Sequence, residues 1–302
     1  MAYRWRRYRH LRTLNQIAPP SLTGPVGSRR WRVRTLLNEE GAIGVGISVI
    51  STVVVGAIIA AAVLNSPTWP VVRDQFFSLE HMVNALPNIW RGFVLDMQLF
   101  VIAQLAIFLL SIIIAGVRSL RGPVFFPLRV MAIVYIDLFR GIPLILAILL
   151  LGFGVPALQI PWLPNSELFW GVTTLVLSYS AYTAEVIRSG IESVPESQRL
   201  AARSIGLTQM QALRHAILPQ AIRNVVPALL NGVVSLQKDV ALISVLGVRE
   251  AVREAGLGAA RTFNYSGYVV AALLFLAVSV PLARFADYWA ARTRAQRSGT
   301  LV

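Results

Sequence analysis

Along this chain, long apolar runs alternate with short polar stretches rich in arginine. Six runs stand out, at 41–64, 93–117, 128–158, 169–187, 225–246 and 268–289. About 20 residues at 1.5 Å each cross a hydrocarbon core of roughly 30 Å. A bilayer offers no water to unpaired backbone groups, so such segments close their hydrogen bonds within themselves as helices. The pattern therefore predicts an all-α integral membrane protein with about six transmembrane helices. The third run is interrupted by Asp137, Arg140, Gly141 and Pro143, which predicts a kink or two pieces. The fourth has a polar interior of Ser178, Tyr179, Ser180, Tyr182, Thr183 and Glu185, and the fifth carries Asn231, Gln237, Lys238 and Asp239.

Composition strengthens this reading. Of 302 residues only 14% are charged and 56% are hydrophobic, whereas a soluble domain carries roughly a quarter charged. The net charge of +14 would suit nucleic acid, but the arginines sit between the apolar runs, as the positive-inside rule predicts for cytoplasmic loops. With the N-terminus inside, the cytoplasmic pieces are 1–40, 118–127, 188–224 and 290–302, and the outer piece 154–168 has no Lys or Arg. The outer stretch 247–265 departs from the rule with Arg249, Arg253 and Arg261, partly offset by Glu250 and Glu254, and is read as carrying a short interfacial helix. Residues 1–40 form a basic segment with a Pro/Gly/Ser linker, suited to lipid contact. Cysteine is absent, which excludes disulfides and thiolate chemistry. His10, His81 and His215 lack metal-ligand spacing, so neither metal nor cofactor is expected. A nucleotide-binding loop needs a glycine-framed lysine, and the sole lysine, Lys238, lies inside an apolar run without those glycines.

The connection at 191–219 is the most informative polar stretch. Ser193 with Glu196, and Thr208 with Gln211, read as two capping boxes, with Pro195 in the first turn of the first helix. Gly206 stands between them as a left-handed corner, and Pro219 ends the second helix or kinks it into the next span. Leu200, Ala201 and Ala202 give the first helix a small apolar surface, as Met210 and Leu213 do the second. Helix connections in bundles usually take 2–8 residues. A long, capped insert suits docking to a soluble partner, or alternatively lying on the membrane.

Leu200-Ala201-Ala202, Gly206 and Leu218-Pro219 resemble the EAA loop of bacterial ABC importer permeases. Arg140-Gly141-Ile142-Pro143, Ala181-Tyr182 with Glu185 and Arg188, Gly190-Ile191, Ser193-Val194-Pro195, Leu218-Pro219-Gln220-Ala221, Pro227, Asn231 and Lys238-Asp239 resemble the polar-amino-acid branch, of histidine/glutamine permease type. The likeness covers roughly 90–290. It implies a type-I ABC permease-like core of five helices, with the run at 41–64 as an extra N-terminal helix and 291–302 as a basic tail. It also implies an ABC ATPase dimer, a second permease subunit as homo- or heterodimer, an extracytoplasmic amino-acid-binding protein, and a place in the bacterial cytoplasmic (inner) membrane with both termini cytoplasmic. ATP hydrolysis would then fall to a separate subunit. In two places the chain departs from the pattern: Leu200 stands where the loop usually has glutamate, and Ala216 where it has isoleucine.

Charges inside spans are expensive and mark function by default. Arg140, Asn231, Gln237, Lys238 and Asp239 are candidates for the translocation path or gate, with helix packing the alternative for each. Asp137 and Arg140, three apart, could pair on one helix face. Glu185 and Arg188 have the same spacing, and Asp137, Glu185 and Arg188 are assigned structural roles. The competing functions are an ion-coupled secondary transporter, which usually shows internal repeats, and a non-transporting membrane scaffold. Neither requires the loop at 191–219.

Overall fold

The computed structural model describes residues 39–120 and 122–297. Most of the basic N-terminal segment, Arg121 and the last residues of the tail lie outside the described residues. Contacts divide the chain into two units, Met1–Trp69 and Pro70–Val302. The first holds α1 (Glu39–Leu64), an uninterrupted helix of 26 residues.

The second unit is all helical among its described residues: α2 (Trp69–Phe77), α3 (Leu79–Ser119), α4 (Phe126–Gly141), α5 (Leu144–Ala157), α6 (Glu167–Glu192), α7 (Glu196–Ser204), α8 (Gln209–Ala212), a π-turn (Leu213–Ile217), α9 (Leu218–Asp239), a 3₁₀ segment (Val240–Leu246), α10 (Ala251–Thr262) and α11 (Ser266–Arg297). The third apolar run is two helices, α4 and α5, meeting at 108° around Ile142 and Pro143. Proline removes a helical donor and bars the α conformation for the residue before it; Ile142 is accordingly extended, with ψ of 133°.

By length and apolar content, the four spans are 44–64, 69–119, 209–246 and 266–292, with the α4–α5 pair as a fifth. The predicted run at 169–187 lies in α6, which falls outside that apolar criterion among the described residues. Its position explains this. α6 packs against α3, α4, α5 and α9, and its Thr174, Ser178 and Ser180 are buried there. A helix surrounded by other helices does not need an apolar surface for lipid.

Lipid is as apolar as a leucine side chain, so bundles in membranes hold together by close packing of small residues and interhelical hydrogen bonds. The interior follows that rule, with Ala103, Ala115, Ala132, Ala147, Ala181, Ala184, Ala221, Ala255 and Ala271 all buried, while many of the larger Leu, Ile, Val and Phe side chains are exposed. Gly190 of α6 meets α9 so closely that an added Cβ would stand 2.0 Å from Val225 Cγ1. The central cluster joins Leu99, Ala103 and Ile107 of α3 to Ile148, Leu175, Leu236 and Ile243. A second cluster binds α3 to α10 and α11 through Ile89, Phe93, Ala251, Ala255 and Val270. The start of α11 is tied to α2: Tyr265 N–H donates to the Gln75 carbonyl at 2.7 Å, and Asn264 Nδ2 to that of Asp74 at 2.8 Å.

Candidate functional site

The connection at 191–219 folds as two short helices at a glycine corner. Gly206 has φ of +88°, a conformation most L residues adopt only at a cost of about 1–2 kcal/mol. The second capping box is present: Thr208 Oγ1 accepts from Gln211 N–H, and the Gln211 side chain accepts from Thr208 N–H at 2.9 Å. The first is absent. Pro195 occupies the N-cap of α7, and Ser193 belongs to the end of α6. Its hydroxyl donates to the Gly190 carbonyl at 2.7 Å and accepts from Asn224 Nδ2 at 2.6 Å. With only Val194 between Ser193 and Pro195, α6 closes too near α7 for Ser193 to serve both.

The loop has an inner and an outer surface. Ala202, Ala212 and Ile217 are buried, and Ile217 packs with Val194 and Ala221 of α9, alongside Leu213. Leu200, Ile205 and Met210 face outward, 61%, 77% and 70% exposed. Ala201, Gly206, Leu218 and Pro219 are also exposed. Pro219 neither ends nor breaks the helix. It sits in the first turn of α9, directly after the π-turn, where Leu218 N–H reaches back to the Leu213 carbonyl. The wider turn absorbs the missing donor, so the segment from Gln209 to Leu246 continues as one span.

Above the loop lies a cavity of about 550 Å³ between α3, α4, α6 and α9. Tyr179, Tyr182 and Ser178 of α6 line one side, Gln104 of α3 another, and Ser235 and Asp239 of α9 a third. Tyr179 Oη donates to Asp239 Oδ2 at 2.6 Å. One turn further along α6, Tyr182 Oη donates to the Arg140 carbonyl at 3.2 Å, and the Arg140 guanidinium lies 5.7 Å above the Tyr182 ring. Ser178 is only 2% exposed, and its hydroxyl has no hydrogen-bond partner among the described residues.

Asp239 is thus at the cavity, whereas Arg140 is exposed, does not line it and reaches it only through its contacts with Tyr182. The other path candidates are elsewhere. Gln237 is buried with its side-chain oxygen accepting from Ser279 Oγ of α11, while Asn231 and Lys238 are exposed and do not line the cavity. Positions two apart on a helix point about 200° from one another, which separates Gln237 from Asp239. Asp137 is exposed and no Asp137–Arg140 ion pair forms among the described residues; α4 ends at Gly141, and Arg140 turns to Tyr182 instead. Glu185 ties three groups together, accepting from Arg118 of α3 at 2.5 Å and from Arg188, which also pairs with Glu192.

Sequence reading passed over one site. Asp96 and Glu250 are wholly buried neighbours. Asp96 Oδ2 accepts from Ala251 N–H at 3.3 Å, while Glu250 caps α10 by accepting from Val252 and Arg253 N–H at 2.8 and 2.6 Å. Burial pushes the Glu250 carboxyl up, against the pull of the two backbone N–H groups. The available signal was Asp96 itself, an acid inside a predicted span.

The model of the binding-protein-dependent transport system inner membrane component family matches residues 109–295. A "Probable amino-acid ABC transporter permease protein PatM" of Vibrio harveyi is 33% identical over 71% of this chain and 95% of its own length. The arginine transport system permease protein ArtQ of Bacillus subtilis is 30% identical over 63% and 85%. A solved amino acid ABC transporter with histidines superposes with a TM-score of 0.63 at 31% identity, covering 70% of this chain and 96% of that one. The MetNI methionine ABC transporter in an inward-facing conformation has a TM-score of 0.54 at 16% identity, a likeness of fold alone. The chain belongs to the family of binding-protein-dependent transport system inner membrane components.

Proposed function

We propose that this chain is the membrane permease subunit of an importer for a polar amino acid, working with a second permease, a separate pair of ATPases and an extracytoplasmic binding protein. One observation carries the reading: a single helix links the two candidate sites. α9 begins at the docking loop and ends at Asp239 on the cavity. Its 22 residues span about 33 Å. The inner surface of the loop is packed onto this helix through Ile217 and Ala221, so a displacement of the loop is transmitted along α9 to the cavity wall. Leu200, Ile205 and Met210 provide the apolar facet for an ATPase. ATP binding then biases the permease because the ATPases hold the loop differently in their two states.

At the cavity, Asp239 is the group for a substrate ammonium. Glu185, Arg118 and Arg188 tie α3 to α6 and keep a structural role. The termini are cytoplasmic in this reading, and the arginine-rich segment 1–40 contacts lipid.

Affinity purification of the chain from its own membrane in mild detergent tests the docking assignment, with Gly206→Glu as control. A P-loop ATPase is expected with the unaltered chain and in much reduced amount with the variant. If an intact complex carries equal ATPase in both samples, the corner at Gly206 is not the docking element.

A further inference from the structure

We infer that Asp96 and Glu250 form a proton-binding site, and that the bound proton latches α10 onto α3. Neither residue lines the cavity, and the proton does not depend on the proposed import of amino acids.

Close packing comes first. α10 lies on α3, α11 and the 3₁₀ segment. At Gly92 of α3 an added Cβ would stand 2.5 Å from Glu250 C and from Ala251 N, so the start of α10 rests directly on α3. Asp96 follows one turn along α3, and its Oδ2 accepts from Ala251 N–H at 3.3 Å. Both carboxyls are wholly buried at this contact.

Most of their oxygens are already in use. Glu250 accepts from Val252 N–H through Oε2 and from Arg253 N–H through Oε1. Asp96 Oδ1 is the one oxygen of the four without a partner among the described residues. Buried polar atoms are nearly always bonded, and two carboxylates side by side offer one another no donor. An O–H at Oδ1, donating to a Glu250 oxygen, supplies the missing bond. It leaves the pair with one negative charge, which the N-terminus of α10 favours. A metal ion needs several free oxygens and a volume of its own, whereas a proton needs one acceptor and no space.

The surrounding charges do not replace that proton. Among the described residues no ion pair reaches either carboxyl, and Arg249 is bonded to Glu254 at 2.5 Å. Arg91 on α3 and Arg253 and Arg261 on α10 are exposed. The 3₁₀ segment has no ionisable side chain, and α11 brings the Tyr268 hydroxyl beside Gly256. Burial pushes the Glu250 carboxyl up, and Glu254 adds to that push. Losing the proton leaves two like charges buried together, so α10 is held while the pair is protonated and freed as pH rises.

Infrared spectroscopy of the purified full chain in lipid reads the proton directly. The carbonyl stretch of a neutral carboxylic acid is expected at neutral pH, shifted in heavy water. Asp96→Asn and Glu250→Gln should each abolish it, because either amide puts an N–H where the proton was. If only one substitution removes the band, or neither does, no proton is shared. The latch is read by maleimide labelling, since the chain lacks cysteine. Ala255→Cys, at a position 1% exposed, is compared at each pH with Phe263→Cys, at a position 77% exposed, which cancels the ionisation of the thiol. Their rate ratio should climb by up to about tenfold per pH unit, the limit for one proton, and stay flat once Asp96→Asn is added. A ratio indifferent to pH, or one that climbs equally with Asp96→Asn, overturns the latch, with gel filtration at each pH as the folding control.

Discussion

Single residues in this protein are constrained by contacts at one atom's range. Gly190 has no room for a methyl group against Val225, so Gly190→Ala should destabilise by about 1–3 kcal/mol, the usual range for overpacking. Thermal unfolding in detergent measures this, and Val225→Ala in the same chain should restore much of the loss. The Asp96–Glu250 pair yields a second expectation. Asp96→Ala leaves the buried Ala251 N–H without its acceptor and should cost about 1–3 kcal/mol, whereas Asp96→Asn keeps an oxygen that can accept from it and should be far milder. The sign of the pH dependence follows from Glu250. A carboxyl raised in the folded state holds its proton more tightly there than in the unfolded chain. The stability it adds is present below the ordinary carboxylate range and is lost as pH rises through the folded value. Melting temperature should therefore fall from mildly acidic to alkaline buffer, and Glu250→Gln should flatten that slope. Of these residues the sequence exposed Asp96 only as an acid in a span. Its hydrogen-bond partner, the Ala251 N–H, lies 155 positions further on, across a packing that spacing does not reveal.

Elements convert those contacts into moving parts. The π-turn at Leu213–Ile217 holds one residue more than an α-helical turn needs, so deleting Ala216 should restore α geometry and rotate the loop by about 100° relative to α9. Transport should collapse while the protein still inserts and purifies, measured as substrate uptake against protein recovered from membranes. Gly206→Glu imposes the left-handed penalty of about 1–2 kcal/mol and puts a charge beside Ile205. It should lower transport per ATP hydrolysed roughly tenfold in reconstituted vesicles. The loop's corner, its second capping box and the break in the third apolar run were legible because Gly, Thr–Gln and Pro act through local backbone geometry. The first capping box was misread because α6 runs on to Ser193, and a non-local bond adds to that. Asn224, 31 residues away, holds Ser193 in the end of α6, and no local rule anticipates that bond.

At the scale of the molecule, orientation is the open quantity, and the absence of cysteine makes it directly measurable. Single cysteines at exposed Leu200 and Phe263 should react with an impermeant maleimide from opposite sides, Leu200 from the cytoplasm and Phe263 from outside. Labelling of both from the same side would break the topology. The sequence alone determined that this is a helical membrane protein and which family its spaced motifs resemble. Those properties depend on composition and on neighbours a few positions apart, which the bilayer and the helix read locally. Tertiary structure decided which polar residues share a site. Gln237 and Asp239 are two positions apart, yet one is bonded to α11 and the other stands at the cavity. Tyr179, Ser178 and Gln104 join Asp239 there from α6 and α3. Side-chain direction in a bundle is set by which helix lies opposite, and that is a property of the packed molecule.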